Sequence, residues 1–461
     1  MSRVFLSAAH KSSGKTTISV GIAAALAARG KDVRPFKKGP DYIDPMWLGN
    51  AAGNPCYNLD FHTQETDEIK SLFSVKSAGG DIAIIEGNKG LHDGMDVEGV
   101  DSNAHLAKEL QAPVILVIDS RGMTRGVAPL ILGMQQFDKD IKIGGVILNF
   151  VGGPRHEGKL RSVIERYTDI PVIGAVQRNQ DISLKERHLG LTPSNEVDMA
   201  KNHIDLIAKT IAAEVDLDKI LQIAETAPGL SHGAGITTSK NPDITIAIAR
   251  GAAFGFYYPD DLDALESAGA KIVFFDPETD DALPTCDGLI IGGGFPETRI
   301  KELGANTKML KSINSAVTSG LPTYAECGGM MYLSDSISWN KKTVAMVGAI
   351  SGNAIMTDRP QGRGYIVLSP TKNIPWPGSI ATMTEIPAHE FHYSLMKNLP
   401  KDWVNSYNAI RGHCIDGRDG LVLNNLVAGY AHMRNTSRCP WVGGFTEFVR
   451  KCKKELISHA Q

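Results

Sequence analysis

What this 461-residue sequence lacks narrows its chemistry first. Its six cysteines, at positions 56, 286, 327, 414, 439 and 452, form no C-x-x-C pair, so neither the spacing of a zinc site nor a disulfide framework is present. No run of about 18 apolar residues occurs. No charged-then-apolar leader precedes the strand-like start over residues 1–6, and these absences together predict a cytoplasmic protein without membrane spans. An excess of one charge is missing too. The formal net charge is -3, with 48 Lys+Arg against 51 Asp+Glu and no long basic run, which argues against a nucleic-acid surface and for a small-molecule substrate. There is no internal repeat and no low-complexity tract.

Apolar residues make up 42% and charged residues 21%, as in a soluble globular enzyme. The length exceeds one ordinary core and predicts two α/β domains. From Val4 to about Ala212 short apolar runs (VFLSAA, DIAIIEG, PVILVID, GGVILNF, PVIGAV) alternate with amphipathic stretches, the rhythm of a parallel βαβ sheet. Residues 214–243 carry a short helical patch and then APGLSHGAGITTSKNPD, a linker composition. The rhythm resumes with ITIAIA, KIVFFD, GLIIGGG and LPTYAEC, each ending in Gly or a polar turn, as buried parallel strands do. The expected division is therefore 1–213, a linker over 214–243, and 244–461.

After the first strand, AAHKSSGKTT places Ser13, Gly14, Lys15, Thr16 and Thr17 at the opening of an alanine-rich helix. This is a phosphate-binding loop in a variant form, with Ala9 where the full pattern has glycine. Small residues let consecutive backbone N–H groups face the β- and γ-phosphates of ATP, the helix N-terminus adds positive potential, Lys15 bridges phosphate oxygens and Thr16 can hold Mg²⁺. The run DIAIIEG delivers Glu86 to a strand C-terminus, where open α/β sheets gather ligand chemistry. Asp41 and Asp44 in KKGPDYIDP and Asp93 in NKGLHDG are further acids that either coordinate metal or cap helices and turns. Asn149, closing GGVILNF, is a candidate for the nucleotide base, against the ordinary role of a loop asparagine in a local turn.

LPTYAECGGMMYL reads as strand, sharp turn and helix with Cys327 at the apex. Small neighbours expose the sulfur, and helix N-termini favour thiolate over thiol. Gly328 directly after it, with Gly293 and Gly294 of GLIIGGGFPE, offers bare backbone that can donate to an oxyanion or to a bound glutamine. A cysteine nucleophile needs a base. His432 in VAGYAHMR is one candidate, and His389 and His392 in AHEFHYS are others that spacing alone does not eliminate.

With these residues in view, nearly the whole chain resembles the cobyrinate a,c-diamide synthase family. The resemblance runs through KKGPDYIDP, EGNKGLHDG, GGVILNFVGGPRHE, KERHLGLTPS, GFYYPDDLDALESAGA, GGGFPE, YAECGGMMYL, HEFHYS and GYAH. It implies a dethiobiotin-synthetase-like P-loop domain with a parallel sheet, joined to a class I glutamine amidotransferase α/β domain. It also implies that Cys327 hydrolyses glutamine with His432 raising its nucleophilicity, and that the ammonia is used where ATP phosphorylates a side-chain carboxylate. In that reading Thr16, Asp41 and Glu86 serve Mg²⁺, and Asp44 and Asp93 lie at the acyl-phosphate step. The partner is a tetrapyrrole polycarboxylate, the setting is cobalamin biosynthesis, and the resemblance leaves room for a homodimer.

Two departures matter. The class I pattern has a glutamate two residues beyond the histidine, whereas this chain has Arg434, so a Cys-His pair without that third member is expected. Where the family commonly has apolar residues this chain has Asn88 and Lys89, and where it has an aromatic it has His92, which keeps sirohaem and (nickel-)sirohydrochlorin open as alternative rings. A reading of another class, a non-catalytic P-loop nucleotide switch of the partitioning-ATPase kind, needs no elbow cysteine. A glutamine-independent ligase of the dethiobiotin type would need only residues 1–213.

Overall fold

Apolar runs that hide both faces must sit mid-sheet between two layers of helices, and the computed structural model has that architecture twice. It describes residues 1–184, 186–187, 190–196, 200–230 and 241–460. Lys185, His188 and Leu189 of the KERHLGLTPS segment, and residues 231–240 of the expected linker, lie outside the described residues. The chain divides into two compact units, Met1–Phe61 with Glu65–Ile236 and His62–Gln64 with Thr237–Gln461.

In the first unit β1 (Arg3–Ala8), α1 (Lys15–Ala28), β2 (Val33–Lys38), α2 (Ile43–Ala52), β3 (Tyr57–Leu59), α3 (Thr66–Ser77) and β4 (Ile82–Gly90) are followed by α4 (Asn103–Glu109), β5 (Val114–Asp119), α5 (Val127–Phe137), β6 (Ile143–Val151), α6 (Pro154–Tyr167) and β7 (Val172–Gln177). The seven strands lie in the order β3-β2-β4-β1-β5-β6-β7, every pair parallel. Side chains alternate across the sheet: Val4, Leu6 and Ala8 of β1 enter one core layer and Phe5 the other. Two further helices, α7 (Ala200–Glu214) and α8 (Leu217–Glu225), join the first layer. The unit therefore runs past the boundary expected at residue 213. Leu217, Ile220, Ile223 and Ala224 of α8 fall on one helical face and are buried in the same core as β1 and α1, because that stripe has apolar surface to hide.

The second unit holds a nine-stranded sheet. Its strands Ala270–Phe275, Ile244–Ala249, Gly288–Ile291, Thr323–Glu326 and Leu426–Gly429 are neighbours in that order and parallel. The sheet continues with antiparallel strands Arg418–Leu423, Val404–Arg411, Gly362–Pro370 and Ile386–His392, and a separate four-stranded sheet is built on Ser334–Trp339. The α/β class holds for both units. The antiparallel half is the part not anticipated, because strands such as Gly362–Pro370 and Val404–Arg411 mix buried, half-buried and exposed residues rather than forming solid apolar runs.

In α1, Gly21 allows the close approach of α7. A Cβ there would lie 2.3 Å from Ile211 Cγ1 and 2.9 Å from Ile207 Cγ2. Gly21→Val is expected to cost about 1–3 kcal/mol by overpacking, read as a lower midpoint in urea unfolding followed by circular dichroism. An unchanged midpoint would mean that α1 and α7 separate without penalty.

Candidate active site

The crevice at the C-terminal ends of β1 and β4 gathers the first set of residues. Gly14 caps α1 in the left-handed region at φ 74°, and a Cβ on it would fall 2.2 Å from Asn149 Nδ2. The loop needs glycine there for both reasons. The Asn149 amide donates to Ser13 O at 2.9 Å and its carbonyl accepts from Phe150 N–H at 3.0 Å, so in this geometry it braces the loop. Residues 10–17, Lys37, Asp41, Asp44, Asn88, Lys89, Arg121 and Asn149 line a cavity of about 500 Å³. Asp93 is not among the lining residues; its Oδ2 accepts from Gly90 N–H at 3.2 Å and closes a turn. His92 is directed elsewhere as well, against the Phe137 ring.

Glu86 is fully buried at the floor of this crevice. Its Oε1 accepts from Lys15 Nζ at 2.7 Å, Thr16 Oγ1 at 2.8 Å and Lys37 Nζ at 3.0 Å. Lys37 also pairs with Asp44 and lies 3.8 Å from Asp41 Oδ2, while Asp41 Oδ1 accepts from the backbone of Ile43 and Asp44 at the start of α2. Burial opposes the charge on Glu86, yet Lys15 and Lys37 hold its carboxyl down at about 2. Burial likewise opposes the charge on Lys37, which Asp44, Glu86 and Asp41 keep above the ordinary lysine value. Burial dominates at Lys15 and lowers it. An uncompensated charge in such a place costs several kcal/mol, so the cluster holds together by mutual pairing. Lys37 went unremarked in the sequence; the available signal was a pair of lysines, Lys37 and Lys38, closing a strand before the Gly39-Pro40 turn.

Thr16 Oγ1 is also 3.3 Å from Asp44 Oδ2, and Glu86 Oε2 is a buried oxygen with no hydrogen-bond partner among the described residues. A hydroxyl and two carboxylates, one of them with an orphaned oxygen, beside a phosphate-shaped loop fit the sparse oxygen set that Mg²⁺ takes from protein.

The second set lies where the strand Thr323–Glu326 turns into the helix Gly328–Leu333. Cys327 occupies the turn at φ 48° and ψ -103°, a strained elbow of the kind that presents a nucleophile, and its N–H donates to Gly429 O at 2.7 Å. The neighbouring glycine turn abuts it: a Cβ on Gly328 would be 2.9 Å from Gly294 O, and one on Gly293 would be 2.6 Å from His432 Cε1. Among the three histidines, His432 is the one beside the sulfur. Burial by itself would lower the His432 imidazole, but hydrogen bonding and charge from Cys327, followed by Glu326, raise it to about 10. His389 stacks on His432 at 4.9 Å, and burial and the neighbouring His432 hold it well below the usual histidine value. His392 stacks on Tyr430 at 3.6 Å instead. Arg434 is turned to Asp260, with Nε 2.8 Å from Oδ2. A carboxylate missed in the sequence, Glu326, lies 3.5 Å from His432 Nδ1.

The two sites define a class, a nucleotide-binding unit joined to a cysteine-dependent glutamine amidotransferase unit, and comparison with known proteins agrees. Residues 7–191 match the CobQ/CobB/MinD/ParA nucleotide binding domain, and residues 245–438 match the CobB/CobQ-like glutamine amidotransferase domain. Over 97% of its length the chain is 43% identical to the cobyrinate a,c-diamide synthase of Magnetococcus marinus, covering 97% of that protein. It is 39% identical to that of Methanosarcina acetivorans, over 97% of this chain and 95% of the relative, and 42% identical to that of Picrophilus torridus, over 97% and 98%. The chain belongs to the cobyrinate a,c-diamide synthase family. It is a glutamine-hydrolysing ligase, which sets aside the nucleotide switch. Among the described residues no helix is long and apolar enough to cross a membrane.

In protein carrying ¹⁵N-histidine, His432 is expected to titrate near pH 10. In Cys327→Ala it should titrate at lower pH, because the main influence favouring the imidazolium is gone. An unmoved NMR titration would show that the imidazole owes its proton to something other than the sulfur.

Proposed function

We propose that this chain amidates the a- and c-side-chain carboxylates of cobyrinate, taking nitrogen from glutamine at Cys327 and activating each carboxylate with ATP at the Lys15 crevice. The observation that carries the reading is the pairing, in one chain, of an elbow cysteine beside a buried imidazole with a phosphate loop set over buried Lys15, Lys37 and Glu86. The names of the relatives supply the ring.

Cys327 Sγ attacks the glutamine side-chain carbonyl, and His432 gives a proton to the departing ammonia. The thioester left on Cys327 is then hydrolysed by water to glutamate. Backbone N–H groups from the turns at Gly293, Gly294 and Gly328 are the donors available to the oxyanion. In the first unit the loop backbone over Ser13, Gly14, Lys15, Thr16 and Thr17 orients the phosphates. Lys15 and Lys37 balance the negative charge around the transferring group. Thr16, Asp44 and Glu86, with Asp41 at the rim, would hold Mg²⁺, which when bound offsets phosphate charge. Phosphoryl transfer to the carboxylate gives an acyl phosphate and ADP, and ammonia then displaces phosphate to leave the amide. The chemistry belongs in the cytoplasm, where ATP and glutamine are available.

Two variants separate the halves. Cys327→Ala should abolish glutamine-dependent amidation yet retain amidation driven by ammonium chloride. Lys15→Ala should lower amidation from either nitrogen source by roughly 100-fold or more and leave glutamine hydrolysis within about threefold, since Glu86 keeps Lys37 as its partner. Equal loss of both activities in Lys15→Ala would contradict the division of labour. Because Asn88 and Lys89 stand in the cavity wall, ring identity needs its own test. Product masses from cobyrinate, sirohydrochlorin, its nickel form and sirohaem should show two amides on cobyrinate. Amidation confined to a sirohydrochlorin-type ring would replace it as the substrate.

A further inference from the structure

The geometry points to Glu326 as the positioning residue that orients His432 and stabilises its protonated ring. It stands in for the carboxylate that class I sequences carry two residues after the histidine. The inference rests on the proposed roles of Cys327 and His432 and deepens them. The position two residues after the histidine cannot serve: Arg434 is a cation, buried, and tied to Asp260. Glu326 arrives from the other side of the site. It ends the strand Thr323–Glu326, in register with Gly429 of the neighbouring parallel strand, and the chain continues from that strand to His432.

Both carboxylate oxygens are committed to the region. Oε1 accepts from Met433 N–H at 3.0 Å and from the Tyr324 hydroxyl, which fixes the backbone next to the histidine. Oε2 is left facing His432 Nδ1 at 3.5 Å. Only 7% of Glu326 is exposed, so water screens this pair weakly. The other groups at the imidazole are Cys327, whose sulfur it serves, and His389, stacked on it and kept neutral. Arg434 and His62 also bear on His389, and Glu326 bears on the buried Asp261. A carboxylate behind a histidine fixes which nitrogen carries the proton and supports the cation that forms.

The test uses Glu326→Gln, which keeps size and hydrogen bonding while removing charge. The kcat for glutamine hydrolysis should fall roughly tenfold to 100-fold, with KM for glutamine within about twofold and ammonium-driven amidation retained. The alkaline limb of the pH–rate profile, where the imidazolium is lost, should move down by about 1 pH unit or more. Glu326→Asp should restore part of both. Wild-type kcat in Glu326→Gln, or a fall in kcat with the alkaline limb unmoved, would overturn the assignment. Hydrolysis surviving in Cys327→Ala would instead remove the reading beneath it, and the role of Glu326 with it.

Discussion

The chemistry of the second unit depends on the register between two parallel strands, Thr323–Glu326 and Leu426–Gly429. Because side chains alternate along a strand, a slip of one residue would turn Glu326 to the opposite face and carry the cysteine off its elbow. With Glu326 opposite Gly429, the turn that follows one strand presents Cys327 and the segment that follows the other presents His432. The hydrogen bond from Cys327 N–H to Gly429 O fastens the two together. Buried neighbours on both faces of the strands, Ala325 and Ala428 in one layer and Tyr324 and Val427 in the other, specify that register.

A comparable economy operates in the first unit, where charge rather than register sets the site. Glu86, Asp41 and Asp44 meet Lys15 and Lys37, leaving a site near neutrality that can accept a polyphosphate without first expelling an unpaired ion. The same strand-end position serves both units: a loop after β1 for phosphate and an elbow after Thr323–Glu326 for sulfur. Open α/β sheets offer ligands that end because helix N-termini and unpaired backbone N–H groups converge there.

Much of this was legible in the sequence, and the parts that were not have physical reasons. Lys15, Thr16 and Cys327 stand out because the jobs proposed for them require particular neighbours: small residues for a loop that wraps phosphate, glycines for a turn that exposes sulfur. The parallel strands announce themselves by solid apolar runs. His432 could be set apart from His389 and His392 only by resemblance, since which histidine returns to a cysteine is decided by strand order across about 100 residues. Glu326 and Lys37 stayed hidden because an ionised residue at a strand end looks like a solvated terminus until the neighbouring strand is known. Asn149 and Asp93 stand near the phosphate loop in sequence logic, and the fold adds local contacts the sequence does not show: the amide donates to Ser13 O and the acid accepts from Gly90 N–H in a turn. The helix Leu217–Glu225 was visible as a helical patch, but its allegiance to the first core required the sheet to be in place.

In the function proposed above, one chain moves nitrogen from a glutamine side chain, by way of a sulfur in the second unit, onto a carboxylate activated in the first. The most direct measurement supplies amide-¹⁵N glutamine, ATP and cobyrinate to the intact protein in the presence of unlabelled ammonium, and reads the isotope in the product by mass spectrometry. Each new carboxamide is expected to carry ¹⁵N when glutamine is saturating. Product whose amides are unlabelled under those conditions would contradict it.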